Sequence, residues 1–189
     1  MKVKLFSLLV LVWLLAFGVA NATADFPEEI PFVPTPVEVV DKMLEMAQVQ
    51  KNDVVYDLGS GDGRVVIRAA KKYGTRGVGI EMDQTLLEKA RVSAEAEGVS
   101  HLVEFRAEDA LKTDLSPATV VTLYMLPWFN EAMKPNFSKY LKPGSRIVAH
   151  DFGIGGWPPD KTEKLPEPEK KADGYVHYHS IFLWNVRGN

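Results

Sequence analysis

The chain has 189 residues, of which 46% are hydrophobic and 25% are charged, and this is the composition of a single globular domain. Its formal net charge of −3 lacks the positive excess that is typical of nucleic-acid-binding domains, so we expect no nucleic-acid partner. The absence of cysteine excludes disulfides, cysteine zinc ligands and a cysteine nucleophile.

The N-terminus has the pattern of a targeting segment. Lys2 and Lys4 precede an apolar run over residues 5–20, and a small-x-small site ends at Ala24. A basic start, a short apolar run and an Ala-x-Ala site are the parts of a secretory signal peptide. The run is shorter than the ~20 residues that span a bilayer, and an uncleaved membrane anchor is the alternative.

This pattern divides the chain into two regions. Residues 1–24 are predicted to engage the membrane or the export machinery, as a signal peptide or a membrane anchor. Residues 25–189 are then predicted to form an exported, periplasmic domain. A membrane-anchored domain and a domain that faces the cytoplasm are the alternatives.

Beyond a proline-rich extended stretch, the sequence predicts strands that alternate with helices. Thr35 is expected to cap a first helix that runs to about Ala47. The predicted strands cover residues 54–56, 77–80, 102–105, 119–123, 146–149 and 177–186, and the later helices cover 64–73, 84–97 and 128–141. The charged, proline-interrupted stretch 161–171 is expected to be mobile. This alternation predicts an α/β fold with a Rossmann-like, doubly wound, mostly parallel sheet.

The most informative motif is the turn after the first predicted strand, formed by Asp57, Leu58, Gly59, Ser60, Gly61, Asp62 and Gly63. Glycines at a strand-to-helix turn let a ligand approach the backbone closely. A dinucleotide fingerprint would need its third glycine where Arg64 stands, and its pyrophosphate would face two carboxylates. The ammonium and sulfonium of S-adenosylmethionine suit a carboxylate at Asp57. The alternative is a purely structural turn with Asp62 as a helix cap.

Two further acidic residues follow predicted strands. Glu81 ends the second strand, 24 positions after Asp57, where a carboxylate can accept both ribose hydroxyls of a nucleoside. Asp109 follows the third strand and could accept from the adenine amino group, or act only as a loop acid or cap. Together with the glycine turn, these residues predict a nucleoside site at one edge of the sheet.

In order and spacing, these motifs resemble those of class I S-adenosylmethionine-dependent methyltransferases. The resemblance implies that the sheet has a final antiparallel strand and that Asp57–Gly63, Glu81 and Asp109 bind the cofactor. Two further stretches, Pro31–Pro36 and Arg146–Phe152 followed by Trp157, are similar to the mitochondrial lysine methyltransferases that modify the ATP synthase c subunit and the adenine nucleotide translocase, and to their bacterial relatives. This similarity implies a protein substrate, and a membrane protein in particular.

The acceptor side is expected where the fourth and fifth strands end. Nucleobase amino-methyltransferases resemble one another in an Asn/Asp-Pro-Pro-Tyr/Phe motif after the fourth strand, whereas this chain has Tyr124-Met125-Leu126-Pro127. Tyr124, Trp128 and Trp157 could line an aromatic slot for an alkyl-ammonium group, or pack in the core.

His150 and Asp151 end the fifth strand, where they could orient a substrate or take up a proton, or form a structural pair. His177 and His179 lie on one face of the last strand at a spacing that can bind a metal. No third ligand is evident in the sequence, so no metal site is predicted.

These observations predict a methyltransferase that modifies a protein lysine, with a small-molecule acceptor as the first alternative. An NAD-dependent oxidoreductase is disfavoured by the missing third glycine. A non-catalytic exported binding module on the same fold is the third possibility. S-adenosylmethionine is made in the cytoplasm, and an exported enzyme would lack it.

Overall fold

The structure is a computed structural model that describes residues 31–167 and 176–188. The predicted targeting segment, residues 1–24, lies outside the described residues. Within them, no helix is both long and apolar enough to cross a membrane. The elements are α1 (Val37–Met46), β1 (Val54–Leu58), α2 (Arg64–Tyr73), β2 (Arg76–Glu81), α3 (Gln84–Ala96), β3 (Val103–Ala107), β4 (Val120–Leu123), α4 (Pro127–Ala132), α5 (Lys134–Tyr140), β5 (Arg146–His150), β6 (Lys161–Pro166) and β7 (Tyr178–Asn185).

The strands form one sheet in the order β3-β2-β1-β4-β5-β7-β6. The first five strands of the chain are parallel to one another, and β7 is antiparallel to β5 and to β6. This confirms the predicted α/β class, a doubly wound, mostly parallel sheet with a final antiparallel strand. The strand order reverses between β1 and β4, and ligands bind α/β sheets at such a point, beside the carboxyl ends of the strands.

The sheet separates two apolar layers. On one face α1, α2 and α3 pack over side chains such as Val55, and on the other α4 and α5 pack over side chains such as Tyr56. Because successive strand residues point to opposite faces, β1 contributes to both layers and is buried along its whole length. The strand ends that carry the predicted site are therefore held by a rigid core.

The extended segment before α1 differs from its prediction. Pro36 precedes the first helical residue, and Thr35 makes no side-chain cap. Instead, the Thr35 hydroxyl lies 3.2 Å from His150 Nδ1, and its carbonyl oxygen accepts a hydrogen bond of 2.9 Å from Arg64 Nη1. This segment therefore connects the start of α2 with the end of β5.

Two later elements also differ from the prediction. The single helix expected over residues 128–141 is two short helices, α4 and α5, and Pro135, which has no amide donor, stands in the first turn of α5. The charged stretch expected to be mobile begins with β6, whose residues pair with β7. Its side chains are largely exposed because β6 is the edge of the sheet, where charged residues are common.

Candidate active site at the carboxyl edge of the sheet

The glycine turn lies between β1 and α2 at the carboxyl edge of the sheet. Positive φ angles of 71°, 54° and 78° occur at Gly59, Gly61 and Gly63. The Gly59 and Ser60 amides both donate to the carbonyl oxygen of Ile80 at 2.9 Å, which fixes the turn against β2. A Cβ at Gly61 would collide with the ring of Phe32. The turn therefore needs glycine both for its backbone conformation and for the close approach of its neighbours.

Asp57 is the buried acid of this site. One of its carboxylate oxygens accepts a hydrogen bond of 2.7 Å from the Thr122 hydroxyl on β4. Burial raises the pKa of the Asp57 carboxyl to about 7, and the neighbouring carboxylates of Glu81 and Asp62 contribute to the increase, while the Thr122 hydrogen bond opposes it. A cation placed beside Asp57 would stabilise its ionised form.

Glu81 connects the end of β2 to the glycine turn. Its Oε2 accepts from the Gly61 amide at 2.9 Å, and its Oε1 accepts from the Met82 and Asp83 amides at 2.8 and 3.0 Å. The side chain is only partly buried. Because a carboxylate has about four lone-pair positions, these three hydrogen bonds leave capacity for a ligand hydroxyl.

Asp62 and Asp109, the other two predicted cofactor acids, are occupied by neighbours. The Asp62 carboxylate forms a two-pronged ion pair with Arg64, with distances of 2.9 Å to Nε and 2.7 Å to Nη2, and its Oδ1 also accepts at 3.4 Å from the amide of Arg64, the first residue of α2. Asp109 accepts from the Leu111 amide at 3.0 Å and lies 3.1 Å from Lys112 Nζ. Both carboxylates therefore hold local turns, and their contacts with the cofactor stay predictions.

The chemistry of this edge fits S-adenosylmethionine. Asp57 and Glu81 bring negative charge to the ends of adjacent strands, which favours a ligand with a cationic amino-acid end over a pyrophosphate. The buried Ser60 Oγ has no hydrogen-bond partner among the described residues, and an unsatisfied buried hydroxyl is the kind of group that a polar ligand completes.

Tyr124 follows β4 beside this edge. Its ring centroid lies 3.9 Å from that of His150 and 6.3 Å from that of Phe152. Burial raises the pKa of the Tyr124 hydroxyl, and the nearby Asp151 carboxylate contributes to the increase. Trp157 packs against the apolar layer, with its ring centroid 6.4 Å from that of Phe137, which agrees with the core-packing alternative for this residue.

His150, Asp151 and His179 form a compact polar cluster behind Tyr124. His150 Nε2 lies 2.9 Å from His179 Nδ1 and 3.2 Å from Asp151 Oδ2. The His150 side chain is completely buried, and burial lowers its pKa to about 4, so the ring is neutral at physiological pH. One nitrogen faces Thr35 and the other faces His179, which are the contacts of the structural alternative, and a role of His150 toward the substrate stays a prediction.

The sequence located the acids at the ends of β1 and β2, but it did not reveal the residues that contact Asp57 and His150. Thr122 reaches Asp57 because the β1–β4 pairing places the two residues side by side. His179 reaches His150 because β7 is antiparallel to β5, and the sequence had grouped it with His177 instead. In both cases the contact follows from the register between paired strands, and this register cannot be read from the spacing of motifs in the sequence.

Comparison with known proteins places this geometry in a family. Residues 57–161 match the family described as ANTKMT methyltransferase domain. The chain is 40% identical to a protein-lysine N-methyltransferase of Saccharolobus islandicus, over 86% of this chain and 97% of that protein. It is 32% identical to the human lysine N-methyltransferase of the ATP synthase c subunit, over 69% of this chain and 55% of that protein.

A solved structure gives the same result for the fold and the cofactor. An RNA methyltransferase from Salinibacter ruber, in complex with S-adenosyl-L-homocysteine, is 49% identical to this chain. Its TM-score is 0.75, and the match covers 83% of this chain and 95% of that one. S-adenosyl-L-homocysteine is the product that remains when S-adenosylmethionine has lost its methyl group.

Proposed function

The chain belongs to the ANTKMT methyltransferase domain family and is an S-adenosylmethionine-dependent methyltransferase, and we propose that it methylates the ε-amine of a lysine in a protein. The observation that carries this proposal is its 40% identity to a protein-lysine N-methyltransferase along 97% of that protein. The Saccharolobus islandicus relative and the human one both act, by their names, on a lysine nitrogen of a protein.

We propose that Asp57 and Glu81 hold the methyl donor. S-adenosylmethionine supplies an activated methyl group on a sulfonium when it is bound. Asp57 would be held ionised by the nearby positive charge, and Glu81 would accept the ribose hydroxyls with the lone pairs that its backbone hydrogen bonds leave free. Gly59 and Ser60, tied to β2, would let the backbone approach the donor closely.

On the acceptor side we propose that Tyr124 orients the incoming amine. A lysine ammonium must lose its proton before the nitrogen can attack, and a partly desolvated pocket lowers the amine pKa. The Tyr124 ring lies against His150 and near Phe152, and the Asp151 carboxylate lies beside its hydroxyl. These residues align the amine and exclude water, and this alignment is the main contribution that the protein makes to methyl transfer.

An RNA acceptor is the alternative that the Salinibacter ruber relative raises. All four basic side chains of α2, Arg64, Arg68, Lys71 and Lys72, are paired with carboxylates. The net charge of the chain is −3. A polyanion would therefore gain little electrostatic affinity on this face, and this favours a protein acceptor.

The test is to incubate the purified protein with methyl-labelled cofactor and cell extract that is separated into membrane-protein, soluble-protein, RNA and small-molecule fractions. We expect label in lysine of a protein fraction. Tyr124→Ala should lose most of this label while its affinity for S-adenosyl-L-homocysteine is kept, and Tyr178→Ala, at an exposed tyrosine on β7, is the matched control. Label confined to RNA or to small molecules would refute the lysine proposal.

We also propose that residues 1–24 bring the domain to a membrane and that the acceptor is a membrane protein. The basic start, the apolar run and the small-x-small site of the sequence support the first part. The second part is supported by the human relative, whose named substrate is a component of ATP synthase.

A further inference from the structure

The cluster behind Tyr124 has the composition of a metal site. His150 and Asp151 stand at the end of β5, and His179 stands on the adjacent β7. One ligand atom from each residue, His150 Nε2, Asp151 Oδ2 and His179 Nδ1, lies within 4.8 Å of the others. Two imidazole nitrogens with one carboxylate oxygen are ligands that suit zinc and its neighbouring transition metals, and not magnesium or calcium.

The separations of these atoms agree with tetrahedral coordination. They are 2.9 Å between the two nitrogens, 3.2 Å from His150 Nε2 to Asp151 Oδ2, and 3.5 Å from His179 Nδ1 to the same oxygen. Zinc bonds of about 2.0–2.1 Å place the ligand atoms of a tetrahedron about 3.3 Å apart. The three atoms therefore lie close to the corners of one tetrahedral face, and a metal requires only small shifts.

Two of the three ligands have a hydrogen-bond partner on the side away from the cluster, and the third has a carboxylate at ion-pair distance. His150 Nδ1 lies 3.2 Å from the Thr35 hydroxyl, and Asp151 Oδ1 accepts from the Ser180 amide at 2.8 Å. His179 Nε2 lies 4.0 Å from a Glu167 carboxylate oxygen. Metal-binding histidines and carboxylates have such partners on their outer side, because these partners fix the ring orientation and the tautomer.

Backbone strain at Asp151 points to the same site. Its φ of 56° lies in the left-handed region, which non-glycine residues seldom adopt. Hydrogen bonds in both directions between Asp151 and Ser180 hold this conformation at the end of the β5–β7 ladder. The conformation brings the Asp151 carboxylate back beside both imidazoles, and such strain accumulates at functional sites.

We propose that His150, Asp151 and His179 bind one divalent transition-metal ion of the zinc type, with three protein ligands and a fourth position left for water or another small ligand. The ion would join β5 to β7 directly behind Tyr124 and so stiffen the acceptor side of the site. This proposal concerns metal binding and does not depend on which group the enzyme methylates.

The test uses the full chain, purified without a histidine tag and stripped of metal with a chelator. Cobalt(II) is the probe, because its visible absorption is intense in tetrahedral sites, and zinc(II) is the competitor. We expect one cobalt per chain with a tetrahedral spectrum that zinc abolishes. His179→Ala and Asp151→Asn should each weaken binding at least about tenfold. His101→Ala, at an exposed histidine before β3, should bind as the wild type does.

Asp151→Asn preserves the shape of the side chain, so it decides the question if His179→Ala does not fold. The absence of stoichiometric cobalt binding by the wild type would overturn the proposal and leave the cluster as a hydrogen-bonded network. Binding that both variants retain in full would also overturn it, because the metal would then lie elsewhere.

Discussion

The buried Asp57 carboxyl has a pKa near neutrality, so its proposed contact with the cofactor predicts that binding is coupled to proton release. In the ligand-free protein, the pKa of the Asp57 carboxyl is raised to about 7, chiefly by burial. A bound cation lowers it, so the ionised form binds more tightly. We expect the affinity for S-adenosylmethionine to rise by up to about tenfold per pH unit below pH 7 and to level off above it.

Calorimetry in buffers of different ionisation enthalpy checks this prediction directly, because binding below pH 7 should release up to one proton. S-adenosyl-L-homocysteine, which lacks the sulfonium charge, is the matched ligand and should show a weaker pH dependence. Affinity that does not change between pH 5.5 and pH 8 would contradict the assignment of Asp57 as the partner of the cationic end.

Replacing Asp57 by asparagine should have opposite effects on the stability of the domain and on cofactor binding. A carboxyl whose pKa is raised in the folded state contributes stability at low pH and loses that contribution as the pH rises from about 4 to about 7. Asp57→Asn keeps an oxygen for the Thr122 hydroxyl and removes the charge. Its free energy of unfolding should therefore exceed that of the wild type increasingly up to about pH 7, while S-adenosylmethionine binding is lost.

Urea unfolding of the ligand-free proteins at several pH values measures the first effect, and calorimetry measures the second. Asp114→Asn, at an exposed acid far from the glycine turn in sequence, is the control and should leave cofactor binding unchanged. If Asp57→Asn binds the cofactor as tightly as the wild type at pH 8, the carboxylate does not contribute to the site.

Substitution of Glu81 tests the proposed contact between its carboxylate and the ribose hydroxyls of the cofactor. Glu81→Ala removes the proposed hydrogen bonds of a charged acceptor to the hydroxyls, which should cost roughly 1.5–3 kcal/mol, or about 10- to 150-fold in affinity. The side chain also accepts from the Gly61 amide, so Glu81→Gln, which keeps one oxygen for that bond, separates the two roles. Unchanged affinity in a folded Glu81→Ala protein would refute the ribose contact.

Among the elements, prediction and structure agree best where glycine residues mark the two ends of an element. The bounds of α2 are those that the sequence predicts, because Gly63 and Gly74 adopt positive φ at its two ends. The edge strand β6 was missed because its exposed, charged residues lack the apolar alternation of a half-buried strand. The break between α4 and α5 was missed although Pro135 was visible, because the apolar periodicity continues across it.

Glycines at helix ends provide a prediction about packing. Gly63 and Gly98 both have positive φ, 78° and 70°, so alanine costs a similar backbone strain at each. A Cβ at Gly63 would lie 2.6 Å from the ring of Phe105 and 2.9 Å from the Ala90 Cβ, whereas one at Gly98 meets nothing within 4 Å. Gly63→Ala should therefore destabilise the domain by roughly 1–3 kcal/mol more than Gly98→Ala.

Urea unfolding of the two variants measures this difference, with Gly98→Ala as the matched control for backbone strain. Equal losses of stability would indicate that α3 and β3 can move aside at Gly63. In that case the glycine would serve the conformation of the turn alone.

At the scale of the whole molecule, the sheet brings together residues that lie far apart in the sequence. Thr35, His150 and His179 belong to the segment before α1, to β5 and to β7, and they meet only because β7 returns antiparallel beside β5. The acids on β1 and β2 could be predicted because they belong to a contiguous motif and its following strand. Contacts that depend on register between strands distant in sequence could not be predicted.

The N-terminal segment predicts on which side of the membrane the domain lies. Residues 1–24 have the pattern of an export signal, yet S-adenosylmethionine is made in the cytoplasm. We expect a reporter that is active only outside the cytoplasm, fused after Asn189 of the full chain, to be active. Leu11→Asp combined with Leu14→Asp interrupts the apolar run and should abolish this activity, because charged residues are costly in such a segment. A reporter that works only in the cytoplasm, fused at the same site, is the complement. Activity from that reporter alone would place the catalytic domain beside its cofactor supply and would refute export.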